Sequence, residues 1–299
     1  MDKNTLRKTL EEMVILPEIP TGGDEAKIAS SLKNAGLPAA LLDFCAADRS
    51  ESVRIMRSSC DGMLIGAYAG KEPAILNRAI AAGCDFVLTD GIDQKQIAAS
   101  LEKGVPIIPI CASWEDFQRL NVSDIAFVAL RKDEPEQSGL FIMDASKGSP
   151  KPVARIDRTI VSGEWTEEGA YEKITADAET ALLEEIGFEP YHVGLNSKDR
   201  DEALVFASRL SSLFRMPMIE THRSFLIGDL AEVMMLPYYG AHGHMGVRTR
   251  NLRLAMGYLK RKGVEFNIAT YEENEDGIPK IVYLKEEIGG FAVHLTQIF

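Results

Sequence analysis

Short apolar runs alternate with helix-period stretches through the first 185 or so residues. The runs Val14–Ile19, Ala39–Phe44, Met63–Tyr68, Phe86–Thr89, Val105–Ile110, Ile125–Leu130, Leu140–Met143 and Thr159–Val161 predict eight strands. They are apolar at successive positions, as in strands buried on both faces of a parallel sheet. Helices are predicted over 24–35, 49–58, 73–82, 93–102 and 167–185, three of them closed by Gly36, Gly83 and Gly104. Eight strands separated by helices predict an α/β domain, a TIM-type (β/α)8 barrel, over 1–187. No helical stretch separates the sixth and seventh strands, so the outer ring is expected to be irregular there.

The pattern changes after Glu189-Pro190. Two units follow, each reading strand–helix–strand–strand–strand. The first uses 191–196, 199–214, 216–220, 224–227 and 231–236. The second uses 244–249, 251–262, 265–270, 280–284 and 291–297, with an acidic hairpin at 272–277. Residues 188–299 are therefore expected to form an α+β domain of paired βαβββ modules. The duplication is visible in the residues themselves: His192-Val193-Gly194-Leu195-Asn196 is echoed by His244-Met245-Gly246-Val247-Arg248.

Side chains alternate faces along a strand, so parity tests which residues share a surface. His192, Gly194 and Asn196 oppose Val193 and Leu195. His244, Gly246 and Arg248 oppose Met245 and Val247. On the fourth strands, Glu232 opposes Ala231 and Val233, and His294 opposes Val293 and Leu295. Four potential metal ligands, His192, Glu232, His244 and His294, thus point away from apolar faces at equivalent strands of two repeats. Three imidazoles and a carboxylate suit a divalent metal (Zn, Fe, Ni, Co or Mn), and the donor types do not choose among these. Around them, His242 is expected in a neighbouring loop and His222 at a strand edge. Arg223, Arg248 and Arg250 are candidates to hold an anion, and Tyr238 and Tyr239 to line the site.

In barrels of this kind, chemistry sits at the C-terminal ends of the strands. Those ends supply Glu18, Asp43, Tyr68, Thr89-Asp90-Gly91, Ser113, Lys132 and Asp144 to Lys147. A lysine imine needs an amine held neutral near pH 7. Lys147 is the candidate catalytic amine and Lys132 the alternative, both in polar contexts.

The net charge of −12 opposes a nucleic-acid partner, which needs a basic face. No run approaches the ~18 apolar residues of a membrane span, and the charged start has no signal core. Cys45, Cys60, Cys84 and Cys111 lack CxxC spacing and are expected as free thiols in a reducing cytoplasm.

Two resemblances follow. Ala79-Ile80-Ala81-Ala82-Gly83-Cys84-Asp85-Phe86-Val87-Leu88-Thr89-Asp90-Gly91, continued in register by Glu102-Lys103-Gly104-Val105-Pro106-Ile107-Ile108-Pro109, resembles the KDPG/KHG aldolase family, over roughly residues 10–180. The resemblance implies a trimeric barrel that cleaves a 2-oxo acid to pyruvate through a lysine imine. The family's catalytic signatures do not carry over. Its glutamate and arginine on strand two fall at Leu41 and Cys45, its imine lysine at Phe127, and its phosphate-binding Pro-Thr-Gly-Gly at Asp144-Ala145-Ser146-Lys147.

Residues 190–299 resemble the vicinal oxygen chelate superfamily, which includes glyoxalase I, extradiol dioxygenases and methylmalonyl-CoA epimerase. Carried over residue by residue, its ligand positions are His192, Glu232, His244 and His294; many members have a glutamate at the last. Taken together, the sequence implies metal-dependent chemistry on a small oxo or hydroxy acid in the C-terminal cup. The alternatives are a class I aldolase using a lysine such as Lys147, or a non-catalytic binding or assembly protein.

Overall fold

The computed structural model describes residues 3–91, 97, 100, 102–119, 125–134, 137–145, 151–275 and 277–298. The chain forms two compact units, Met1–Leu182 and Leu183–Phe299. The division falls inside the helix Tyr171–Ile186, a few residues before the expected boundary at 187.

The first unit is a closed eight-stranded barrel in sequence order. Its strands are β1 (Ile15–Ile19), β2 (Ala39–Asp43), β3 (Leu64–Tyr68), β4 (Phe86–Asp90), β5 (Ile107–Cys111), β6 (Phe127–Glu134), β7 (Gln137–Asp144) and β8 (Lys151–Asp157). Helix α1 (Lys3–Met13) precedes β1, and α2 (Glu25–Ala35), α3 (Ser50–Ser59), α4 (Pro73–Ala81) and α5 (Trp114–Arg119) lie between strands. The helix expected over 93–102 falls largely outside the described residues. Helix α2 shows how local sequence sets the boundaries. The Asp24 carboxylate accepts from the Ala26 and Lys27 backbone N–H groups, and Gly36 closes the helix at φ +95.

The barrel interior is sealed by large apolar side chains, among them Leu16, Phe86 and Phe127. Packing around Phe86 leaves no room at β3: a Cβ on Gly66 would stand 2.3 Å from that ring.

Two expectations need correction. β7 runs antiparallel to both β6 and β8, whereas the other neighbours are parallel. A two-residue link between Glu134 and Gln137 permits only antiparallel pairing, since a parallel return needs a crossover of a dozen residues. The eighth strand is Lys151–Asp157, not Thr159–Val161. The latter residues form a bend, exposed at Thr159 and buried at Ile160 and Val161, because the Asp157 carboxylate accepts from the backbone N–H groups of Thr159 (2.8 Å) and Ile160 (3.0 Å). Helices α6 (Gly163–Glu168) and α7 (Tyr171–Ile186) follow.

The second unit contains the two expected modules. The first is β9 (Glu189–Asn196), α8 (Arg200–Phe214), β10 (Met218–Glu220), β11 (Ser224–Ile227) and β12 (Ala231–Met234). The second is β13 (His244–Thr249), α9 (Leu252–Arg261), β14 (Phe266–Glu273), β15 (Pro279–Ile288) and β16 (Phe291–Gln297). They join in one eight-stranded sheet ordered β10-β11-β12-β9-β13-β16-β15-β14. The first and fourth strands of each module therefore occupy the four central positions. Ala203 and Ala207 of α8 pack against Phe225, Ile227, Ala231 and Val233, so the apolar parity of β12 faces the helix and Glu232 faces away from it. Among the described residues, no helix is long and apolar enough to cross a membrane.

Candidate metal centre

The sheet register builds this site. On the ligand-bearing face, Gly194 of β9 pairs with Glu232 on one side and His244 on the other. One row away, Gly246 of β13 pairs with His192 and with His294. Each glycine is thus flanked by two ligand candidates, and each is the floor on which imidazoles lie. A Cβ on Gly194 would stand 2.0–2.3 Å from the His244 ring; one on Gly246 would stand 2.9 Å from His294 Nε2 and 3.1 Å from His192 Nε2. Sequence parity put these glycines on the right face but gave them no role. The repeated His-x-Gly phrase was the signal.

The four side chains singled out in the sequence come together. His192 Nε2 lies 3.1 Å from His244 Nε2 and 3.2 Å from His294 Nε2. Glu232 Oε2 lies 3.3 Å from His244 Nε2 and 3.4 Å from His192 Nε2. Ligand atoms bonded at about 2.0–2.1 Å around a tetrahedral ion stand about 3.3 Å apart, so these spacings are those of a set that can share one cation. The three imidazoles are buried, at 9%, 1% and 2% exposure for His192, His244 and His294.

The surroundings support part of the set. Ser224, itself buried, donates its hydroxyl to Glu232 Oε1 at 2.6 Å, and Thr296 Oγ1 lies 2.9 Å from His294 Nδ1. Such outer partners fix ligand orientation. His244 Nδ1 is buried without a hydrogen-bond partner among the described residues, so steric seating on Gly194 holds that ring.

Burial disfavours the charged imidazole and lowers His192 to about 4. It lowers His294 to about 3, where the neighbouring His192 and His244 act in the same direction. Burial opposes the Glu232 carboxylate too, but hydrogen bonds from His244 and Ser224 override it and hold the group at about 2. At neutral pH the face therefore carries an ionised carboxylate beside His192 and His294 in their neutral form, the protonation states a divalent ion requires.

A cavity of about 430 Å3 opens beside Glu232 and His244, lined also by Thr221, His222, Arg223, Tyr238, Tyr239 and Tyr283. The Tyr283 ring lies 5.0 Å from that of His294 and 4.9 Å from that of Tyr239, and Tyr238 is 4.5 Å from Tyr239. Tyr283 was not singled out in the sequence; its place on the ligand-bearing side follows only from pairing with His294 across β15 and β16.

Of the candidate arginines, Arg223 lines the cavity and Arg248 does not. A bulge between β9 and β13 leaves Tyr191 of β9 as the extra residue, and Arg248 stacks 3.9 Å above Tyr191 and pairs with Asp229 at 2.6 Å. Arg250 packs at Gly187. His242 stands in the loop before β13, its Nδ1 3.1 Å from the Gly289 carbonyl oxygen.

In the barrel, Lys147 lies outside the described residues. The segment containing it leaves β7 at Asp144, which pairs with Phe127 at the start of β6, and enters β8 at Lys151. Asp144 itself accepts from Arg7 Nη2 of α1 at 3.2 Å. Lys132 lies near the end of β6.

Residues 6–120 match the family model described as KDPG and KHG aldolase. The 2-dehydro-3-deoxy-phosphogluconate aldolase of Treponema pallidum (strain Nichols) is 28% identical over 117 residues, which take in 38% of this chain and 56% of that protein. The chain thus spans little more than half the length of this curated relative. Among solved structures, the 2-keto-3-deoxy-6-phosphogluconate aldolase of Zymomonas mobilis ZM4 is 16% identical, with a TM-score of 0.46 over 60% of this chain and 96% of that one. Methylmalonyl-CoA epimerase from Mycobacterium tuberculosis is 15% identical, with a TM-score of 0.28 over 37% of this chain and 87% of that one.

Proposed function

We propose that the protein binds a divalent cation through His192, Glu232, His244 and His294 and uses it on a small oxo or hydroxy acid, as members of the vicinal oxygen chelate superfamily do. In this reading the aldolase-type barrel is retained as scaffold. The observation that carries it is that the ring nitrogens of His192, His244 and His294, from equivalent strands of two repeats, all lie within 4.8 Å of one another, with Glu232 Oε2 3.3–3.4 Å from those of His244 and His192.

A cation held there supplies Lewis acidity, polarising an oxygen of the acid or activating water. The chain's own residues orient and protect it. Ser224 fixes Glu232, Thr296 fixes His294, and the tyrosine rings wall the approach. With a histidine at 294 in place of a glutamate, that position lacks the carboxylate that moves protons in glyoxalase I. Polarisation therefore fits these residues better than proton abstraction.

The test is elemental analysis of the purified protein beside a His192→Ala/His244→Ala variant. About one equivalent of a divalent metal per chain in the first and none in the second is the expected result. A metal-free wild-type protein that takes up no metal on titration overturns the reading.

A second reading, lyase chemistry through a lysine imine, is favoured by the family match over 6–120. Against it, the positions matching the family's catalytic groups hold Leu41 and Phe127, both buried in the core, and Cys45. Borohydride treatment with pyruvate is expected to leave no adduct; a reduced adduct on Lys147 or Lys132 would restore the aldolase.

A further inference from the structure

We propose that Arg223 receives a second anionic group of the ligand, so that the cup selects acids carrying a carboxylate at the end remote from the metal-binding oxygens. The proposal rests on the cation reading above and adds a selectivity to it.

The other arginines of this unit that approach the sheet are already matched. Arg200 pairs with Glu220 and Arg248 with Asp229, both at 2.6 Å, and Arg253 pairs with Glu273 at 3.1 Å. Arg223 lines the cavity that also contains Glu232 and His244, yet among the described residues it pairs with no carboxylate. Its Nε donates to His222 Nε2 at 2.7 Å. That bond orients the guanidinium and leaves the two terminal nitrogens, the pair whose spacing matches a carboxylate end-on.

The charge tally points the same way. The lining carries two carboxylates, Glu232 and Glu272, and Arg223 as its one arginine. Without a cation this sums to one negative charge; with a divalent cation it sums to one positive. The loaded cavity therefore attracts an anion and the unloaded one repels it. Tyr238, Tyr239 and Tyr283 line the same cavity. Burial raises the hydroxyls of Tyr238 and Tyr283, so both stay protonated and offer hydrogen-bond donors. The cavity, at about 430 Å3, is at the small end of the ~300–1,000 Å3 of ligand pockets.

The experiment compares two acids of equal chain length on the metal-loaded protein. 2-Hydroxyvalerate and 2-hydroxyglutarate share a chelating end and differ only in a distal methyl or carboxylate. Calorimetry is expected to show the diacid binding about tenfold to a hundredfold tighter, the size of one charge-assisted hydrogen-bonded pair. Arg223→Gln should abolish that preference while metal content stays at its wild-type value. Arg223→Lys should keep part of it.

Equal binding of the two acids, or a preference that survives Arg223→Gln, overturns the assignment of Arg223 and leaves the cation site intact. Failure of the wild-type protein to take up metal, read independently by elemental analysis, removes the cup reading, and the selectivity falls with it.

Discussion

In the barrel, Leu41 and Phe127 are sealed in the core, and Cys45 is exposed. In the C-terminal sheet the reverse holds: three buried imidazoles and a partly buried carboxylate gather on one face. The contrast has an energetic meaning. An apolar side chain in a barrel core stabilises it by about 1.5–3 kcal/mol when fully buried, so Leu41 and Phe127 support a sound fold. Burying polar groups costs free energy unless each is partnered. A buried polar cluster with an orphan nitrogen, His244 Nδ1, is a cost to the fold.

The comparison can be broken most sharply at the glycines. Gly194→Ala puts a methyl 2.0–2.3 Å from the His244 ring, and at least a hundredfold loss of metal affinity is expected by metal titration, with the barrel unaffected. Unchanged affinity would mean that His244 contributes no bond. Gly246→Ala meets ring tips at 2.9–3.1 Å and should cost less. Ser224→Ala removes the donor to Glu232 and is expected to weaken metal binding roughly tenfold, the lower end for such outer partners.

In the barrel, Gly66→Ala drives a methyl into the Phe86 ring. Overpacking of this kind costs about 1–3 kcal/mol, so a lower melting temperature with metal stoichiometry intact is expected. Metal loss in that variant would argue against two separable roles.

Acidity offers the mildest probe. In the metal-free protein, burial holds His192 and His294 neutral down to about 4 and about 3, whereas both protonate near 6.5 when unfolded. The unfolded chain thus takes up protons first, and stability falls as pH drops from about 6.5 towards 4. Melting temperatures that are flat across this window in the apoprotein would show the rings to be solvated.

Much of the sheet was legible in the sequence because duplication supplied its own control. Two phrases in register, tested for period-two parity, marked His192, Glu232, His244 and His294 as candidates for one face. What parity cannot supply is which strands lie side by side. The floor role of Gly194 and Gly246, the approach of Tyr283 and the departure of Arg248 all depend on pairing and on one bulge. In the barrel, strand count was legible from apolar runs, but direction was not. The missing helix between β6 and β7 was the visible sign of reversal, and the charged, proline-containing Lys151–Asp157 masked a strand whose buried positions are only Val153, Ala154 and Asp157.

The interleaving of glycine and histidine across β9 and β13 has a genetic consequence. Each module lends its own backbone as the seat for the other's imidazole: His244 rests on Gly194, and His192 on Gly246. Half of the pair, expressed by itself, would lack the seat for one of its imidazoles, His192 or His244. A mutation at either seat is therefore felt by its sister copy, and the two halves are bound to drift together.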